Sequence, residues 1–220
     1  MQLLPSTSAP AMAETARPWP EYVHQSFTMA TMMDVQGHEG HDKTVFYGPF
    51  MRLLYTLFSL DGPYEIALFK GPYDSDPVLI VHINHRPVFF MEIQPHSSLL
   101  QDSYRVAADE QMRQRFTSLG RRTSTTIPTL HGVSAFGNHL SFYEYDAATS
   151  DVQPKRAPQD LSSAITDVVP MSRWDCDVMK PEGASRLKDV VEKVKEMSKK
   201  MPGYVSGSGR GQVCNLLAIL

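Results

Sequence analysis

Three short segments with the composition of β-strands lie between residues 64 and 94, and they limit the possible folds of this chain more than any other feature. They are Tyr64–Phe69, Val78–Ile83 and Pro87–Gln94, each rich in β-branched and aromatic residues. Turn-forming Gly, Pro and Asp residues separate the first two segments, and Asn84-His85-Arg86 connects the last two. Because short connections of this kind join antiparallel neighbours, the region predicts a three-stranded antiparallel meander.

Segments with helical character surround this meander. Residues 44–60 are densely apolar and are followed by a strong stop, Asp61-Gly62-Pro63, so they predict a buried helix. Residues 183–200 combine apolar positions with a Lys/Glu face, which predicts an amphipathic helix. Residues 102–119 predict a further helix that ends at Gly120, with one apolar stripe at helical spacing: Ala108, Met112, Phe116 and Leu119.

Two more strands follow the predicted helix at residues 102–119. They cover residues 129–134 and 140–145, and Gly137-Asn138 between them is typical of a hairpin turn. The resulting order of helices and strands predicts an α/β (α+β) fold with a mixed sheet. Neither a GxGxxG nor a GxxxxGK[ST] loop is present, so the sequence does not indicate a Rossmann or P-loop protein.

Length and composition favour one domain. The chain has 220 residues, which we divide into a flexible N-terminal arm (1–21), a single domain (22–200) and a flexible C-terminal tail (201–220). Two cysteines are too few for a disulfide scaffold, and no segment resembles a signal peptide or a transmembrane helix. We therefore expect a cytoplasmic or nuclear protein without a membrane partner. The net charge of −3 excludes a uniformly basic nucleic-acid binder but not a local basic surface.

Acidic and amide side chains converge at one end of the predicted hairpin. Glu92 and Gln94 are two residues apart on a strand, so they point to the same side. Asp76 immediately precedes the partner strand, whose start lies beside the end of the strand that carries Glu92. Carboxylate oxygens of this kind suit Mg²⁺ or Mn²⁺. Glu92 also stands in an otherwise apolar strand, where an unpaired charge is costly to bury.

An acidic residue, a hairpin, Glu-x-Gln and then a helix resemble the PD-(D/E)XK nuclease superfamily. The stretch from Pro87 through residues 108–116 and 131–137 to Arg173-Trp174-Asp175 is similar to uncharacterised fungal members of that group. The resemblance implies a restriction-endonuclease-like core of helix, three antiparallel strands, helix and strand. It also implies a metal-dependent nuclease, a hydrolase that acts on phosphodiester bonds.

The same resemblance assigns the catalytic positions. Asp76 and Glu92 would hold the metal, Mg²⁺ or Mn²⁺, and Gln94 stands where the superfamily usually has the Lys that positions or activates the attacking water. Asp74 is an alternative to Asp76 as the first acidic residue. The superfamily often has a further acidic residue on its first helix. Here Glu39 or Asp42 would supply this residue.

The helix after this motif is locally basic in a chain that is acidic overall. Four of its side chains are candidates for nucleic-acid binding: Arg105, Gln111, Arg113 and Arg115. Arginine forks match phosphate geometry, and Gln111 lies one turn from Arg115 on a face that can approach the hairpin end. The alternative is a solvated charged face, in which Asp109 and Arg113 form an ordinary i,i+4 pair.

Two alternatives to an active nuclease stay open. One is a catalytically inactive domain of the same fold that binds nucleic acid or protein; Gln94 in place of Lys favours it. The other is an interaction domain that leaves the apolar face of the last helix exposed. A homodimer is compatible with the active and the inactive domain alike.

Overall fold

The computed structural model describes residues 17–36, 42–71, 76–123, 127–156 and 169–204. Its helices and strands form a mixed α/β fold. In chain order, the longer helices are α1 (Glu21–Gln36), α2 (Tyr47–Leu57), α3 (Asp102–Thr123) and α4 (Pro181–Ser198). Short 3-10 helices cover Lys43–Phe46, His96–Leu100 and Met171–Trp174. The strands are β1 (Glu65–Phe69), β2 (Val78–Ile83), β3 (Arg86–Gln94), β4 (Thr129–Phe136), β5 (His139–Asp146), β6 (Val152–Gln153) and β7 (Cys176–Asp177).

In the described part of the chain, one sheet contains all seven strands. Its order is β1-β2-β3-β4-β5-β6, and β7 pairs with β5. Strands β1, β2 and β3 form the predicted antiparallel meander, whereas β3 and β4 run parallel because α3 connects them. The predicted mixed α/β class is confirmed.

Local backbone chemistry explains the two tight hairpins. Asn84 and His85 both have positive φ angles, 50° and 62°, as a two-residue turn between twisted strands requires. Gly137 has a φ of 55° in the turn between β4 and β5. Both turns therefore lie where the sequence predicts them.

The sheet is covered on both faces, and β3 shows how. Phe90 points towards α3, where its ring lies 4.7 Å from that of Phe116. The neighbouring Phe89 points to the opposite face, towards Phe58 at the end of α2. Helix α4 covers that second face with its apolar side, and its residues Leu187, Val191 and Val194 are fully buried. The alternative of a last helix with an exposed apolar face is therefore wrong.

Helix α3 has the predicted apolar stripe, and Ala108, Met112, Phe116 and Leu119 are all buried. The predicted end at Gly120 is wrong, since the helix continues to Thr123. Gly120 has a packing role instead: a Cβ atom there would lie 2.7 Å from Cε1 of Tyr145. A glycine inside the helix permits the close approach of β5.

The core extends slightly beyond residues 22–200. Trp19 is buried and donates a hydrogen bond from Nε1 to the Val178 carbonyl over 2.7 Å. Met201 is also buried, and Tyr204 packs against the core. Within the described residues, the helices are too short or too polar to cross a bilayer.

Candidate functional site

Glu92 and Gln94 are near the carboxyl end of β3 and face α3, as their alternation predicts. Nε of Arg115 donates a hydrogen bond to Oε1 of Glu92 over 2.7 Å. Nε2 of Gln94 donates to Oε1 of Gln111 over 2.7 Å. Arg115 and Gln111 lie one turn apart on α3, so one face of the helix binds both strand residues.

Asp76 completes this cluster from the residue region just before β2. Its Oδ1 lies 2.6 Å from Nζ of Lys43, which begins the first 3-10 helix. Asp42 holds the start of that helix, because its Oδ1 accepts a hydrogen bond from the Thr44 amide over 2.8 Å. Asp42 therefore acts as a helix cap, and Lys43 is the side chain that this segment brings to Asp76.

The cluster is electrostatically connected. Burial raises the pKa of Glu92 above its usual range, while the charges of Arg115 and then Lys43 lower it and the Asp76 carboxylate raises it. Tyr47 lies at the same end, with its hydroxyl donating to the Pro77 carbonyl over 3.0 Å. Its pKa is raised, first by burial and then by the charges of Asp76 and Glu92. Asp76 and Glu92 are thus near enough to influence the same groups.

The two carboxylates of this cluster are the type of ligand that a small divalent cation prefers. Mg²⁺ sites that act on phosphates typically use one or two carboxylates and retain water ligands. Asp76 and Glu92 supply two carboxylates, of which Asp76 is paired with the Lys43 ammonium and Glu92 with the Arg115 guanidinium. Among the described residues, no group of three or more His, Cys, Asp or Glu side chains has the arrangement of a metal site. A cation here would therefore rely on these two carboxylates.

Arg105 is placed away from Glu92 and Gln94. Its side chain is only 3% exposed, and its nitrogens donate to the carbonyls of Val169 and Leu99, each over 2.9 Å. It also forms an ion pair with Asp102. Its guanidinium therefore holds three parts of the fold together, and the structure does not present it on a surface for nucleic acid.

Arg113 belongs to a second cluster, on a different side of α3 from Arg115. Asp109 is buried and accepts hydrogen bonds from three groups: Arg113 Nε over 2.8 Å, Arg173 Nη1 over 2.8 Å and the Tyr143 hydroxyl over 3.0 Å. Arg113 also donates to the Pro154 carbonyl. The predicted Asp109–Arg113 pair is present, and it anchors the segment around β6 to the helix.

Two predicted site residues lie outside the described part of the chain. They are Asp74 and Glu39, the alternative acidic residues. Sequence reasoning did not identify Lys43 or Tyr47 as site residues. Both follow Asp42 closely, but only the tertiary packing of the first 3-10 helix against β3 brings them to Asp76.

A scan of protein-family models found no match to this chain. Searches of curated proteins and of solved structures found no significant similarity either.

Proposed function

We propose that this protein is a metal-dependent, nuclease-like hydrolase of phosphodiester bonds in nucleic acid. The observation that carries the proposal is the convergence of Asp76 and Glu92 at one end of the β2–β3 hairpin. The Lys43 ammonium, on the first 3-10 helix, pairs with Asp76 there. The order α2, β1, β2, β3, α3, β4 supports it, because this is the element order that the resemblance to the PD-(D/E)XK superfamily implies.

In this proposal Asp76 and Glu92 would hold Mg²⁺ or Mn²⁺. When bound, such a cation would supply polarisation of a phosphoryl oxygen and a lower pKa for a bound water. Gln94 has no basic group at neutral pH, so its role is to orient water, and its bond to Gln111 fixes the amide. Gln94 replaces the lysine that the superfamily usually has at this position. Lys43, from another part of the chain, supplies a positive charge next to the carboxylates instead. Arg115 orients Glu92 and offers a second charge for phosphate.

The test is cleavage of plasmid DNA and of RNA with Mn²⁺ by the wild type, Glu92→Gln and Asp76→Asn. We expect cleavage by the wild type and at least a hundredfold slower cleavage by both variants. Glu65→Gln is the matched control, since this glutamate is exposed on the neighbouring strand β1. Cleavage that survives in the Glu92 variant would refute the assignment, as would a wild type that cleaves neither polymer.

A second candidate function is nucleic-acid binding without catalysis. It is favoured by the internal pairing of both carboxylates, Glu92 with Arg115 over 2.7 Å and Asp76 with Lys43 over 2.6 Å. In that case the four charges balance one another, and no divalent cation is needed. Binding of Mn²⁺ distinguishes the two candidate functions, because only the first requires that the protein binds Mn²⁺ and that this binding depends on Glu92.

A further inference from the structure

A cavity of about 560 Å³ opens where β3 and β4 end. Its volume lies within the range of about 300–1,000 Å³ that is typical of small-molecule sites. His96 lies two residues after the end of β3, and His139 begins β5 directly after the turn from β4. Ligands of open α/β sheets commonly bind outside the carboxyl ends of parallel strands, and β3 and β4 are such a pair.

The strand register places this cavity next to the candidate phosphodiester site. Gln94 pairs with Phe136, and Phe136 pairs with His139, so the three residues form one row across β3, β4 and β5. Paired residues of neighbouring strands point to the same face, which here is the face covered by α3. With a strand spacing of about 4.8 Å, the backbones at Gln94 and His139 are about 10 Å apart.

The walls of the cavity are aromatic and apolar. The imidazole rings of His96 and His139 lie 5.4 Å apart at an angle of 34°. Burial lowers the pKa of His139, so its ring is neutral at physiological pH. Leu100 and Met171 form an exposed apolar rim, and Ser97 and Ser172 add hydroxyl groups to the lining.

The charge that lines the cavity is already paired. Asp175 forms an ion pair with Arg186 over 2.8 Å. The lining therefore combines imidazole rings, apolar side chains and hydroxyl-bearing residues, and its one carboxylate is already in an ion pair. These properties suit an uncharged planar heterocycle better than a phosphate or a peptide carboxylate.

We propose that this cavity binds one unstacked base of a single-stranded nucleic acid whose backbone passes the Glu92 end of β3. The proposal rests on the proposed function, because it takes the neighbouring carboxylate cluster as the phosphate-directed site. A base enters such a cavity only when it is outside a duplex, so single strands are the preferred ligand. Aromatic stacking is tolerant of sequence, so we expect little base preference.

The test measures binding without cleavage. Fluorescence anisotropy in EDTA compares a labelled DNA strand, an RNA strand of the same sequence and the corresponding DNA duplex. The Leu100→Ser/Met171→Ser variant removes the apolar rim, and His139→Ala removes one ring. The matched control is Leu60→Ser/Met32→Ser, because Leu60 and Leu100 are exposed to 74% and 76%, and Met32 and Met171 to 52% and 47%.

We expect the wild type to prefer either single strand over the duplex. The His139 variant should bind single strands about tenfold more weakly, the size of a lost stacking contact. The rim variant should bind about tenfold more weakly because it loses two apolar contacts, and the control should equal the wild type. Equal affinity of the rim variant and the control, stronger binding of the duplex, or no binding by the wild type would each overturn the proposal.

Because EDTA removes divalent cations, this outcome is separate from the cleavage test. A wild type that binds single strands through the rim but never cleaves them would refute hydrolysis and leave the base site supported. Unimpaired cleavage by the wild type, together with unchanged single-strand binding by the rim variant, would support hydrolysis and refute the base site. The rim residues are exposed, so their substitution leaves the fold intact, and a thermal melt of each variant checks this.

Discussion

The ion pair between Glu92 and Arg115 allows a strong prediction about stability. The side chains of Glu92 and Arg115 are only 4% and 11% exposed, and Nε and Oε1 are 2.7 Å apart. Replacing Arg115 by Met keeps most of the apolar stem but leaves the buried carboxylate without its nearest cation. Breaking a buried pair in this way typically costs about 3–5 kcal/mol. Since Lys43 also acts on Glu92, we expect the lower end, about 3 kcal/mol at pH 7.5.

The pH dependence gives this prediction a specific sign. Burial already raises the pKa of Glu92, and loss of Arg115 raises it further, so the folded variant holds a proton that the unfolded chain releases. Such a group stabilises the fold below its ordinary pKa, and this contribution is lost as the pH rises through the folded value. The cost of Arg115→Met should therefore be smaller at pH 5 than at pH 7.5.

Urea unfolding followed by circular dichroism at both pH values measures these differences. Arg186→Met is the matched control, since Arg186 pairs with Asp175 but both side chains are more than half exposed. Exposed pairs contribute at most about 1 kcal/mol, so this variant should lose little at either pH. If Arg115→Met loses no more than the control, or loses more at pH 5 than at pH 7.5, the reasoning about a buried carboxylate is refuted.

Two further predictions concern packing and pH. Gly48→Ala in α2 has open space around the new Cβ and should stabilise the protein by up to about 1 kcal/mol. Gly120→Ala should destabilise it by about 1–3 kcal/mol, because the new Cβ meets the Tyr145 ring. The opposite order of melting temperatures would contradict the packing described for α3. Burial lowers the pKa of His131 despite the opposing charge of Glu144, so the unfolded chain binds the proton more readily and stability should fall as the pH drops below about 6.5. His131→Gln should reduce that loss between pH 7.5 and 5.5, by at most about 1.4 kcal/mol per pH unit, and identical urea midpoints for wild type and variant across this range would exclude the effect.

The sequence predicts much of the fold because its signals are local. Asn84-His85 and Gly137 mark turns through backbone conformations that few residues adopt, and the stripe along α3 has clear helical spacing. The sequence does not predict helix α1, because the exposed side of this helix carries four apolar residues and shows no clear division into apolar and polar faces: Met29, Met32, Met33 and Val35. Gly120 looks like a helix end, although its actual requirement is the distant Tyr145.

The candidate site divides in a similar way. Alternation along β3 and antiparallel pairing correctly predict that Glu92 and Gln94 share a face. The partners of these residues depend on how helices pack over the sheet, which is not a local property. The sequence therefore does not indicate Lys43, and it predicts one basic surface on α3 although Arg105 is buried among backbone carbonyls and Arg115 pairs with Glu92.

Divalent-cation binding tests the central claim most directly. Isothermal titration with Mn²⁺ compares the wild type with Glu92→Gln, Asp76→Asn and the control Glu65→Gln. We predict one Mn²⁺ site per chain in the wild type and in the control, and at least tenfold weaker binding in each of the other two variants. Absence of binding to the wild type, or unchanged affinity in Glu92→Gln, would contradict the claim that Asp76 and Glu92 form a metal site.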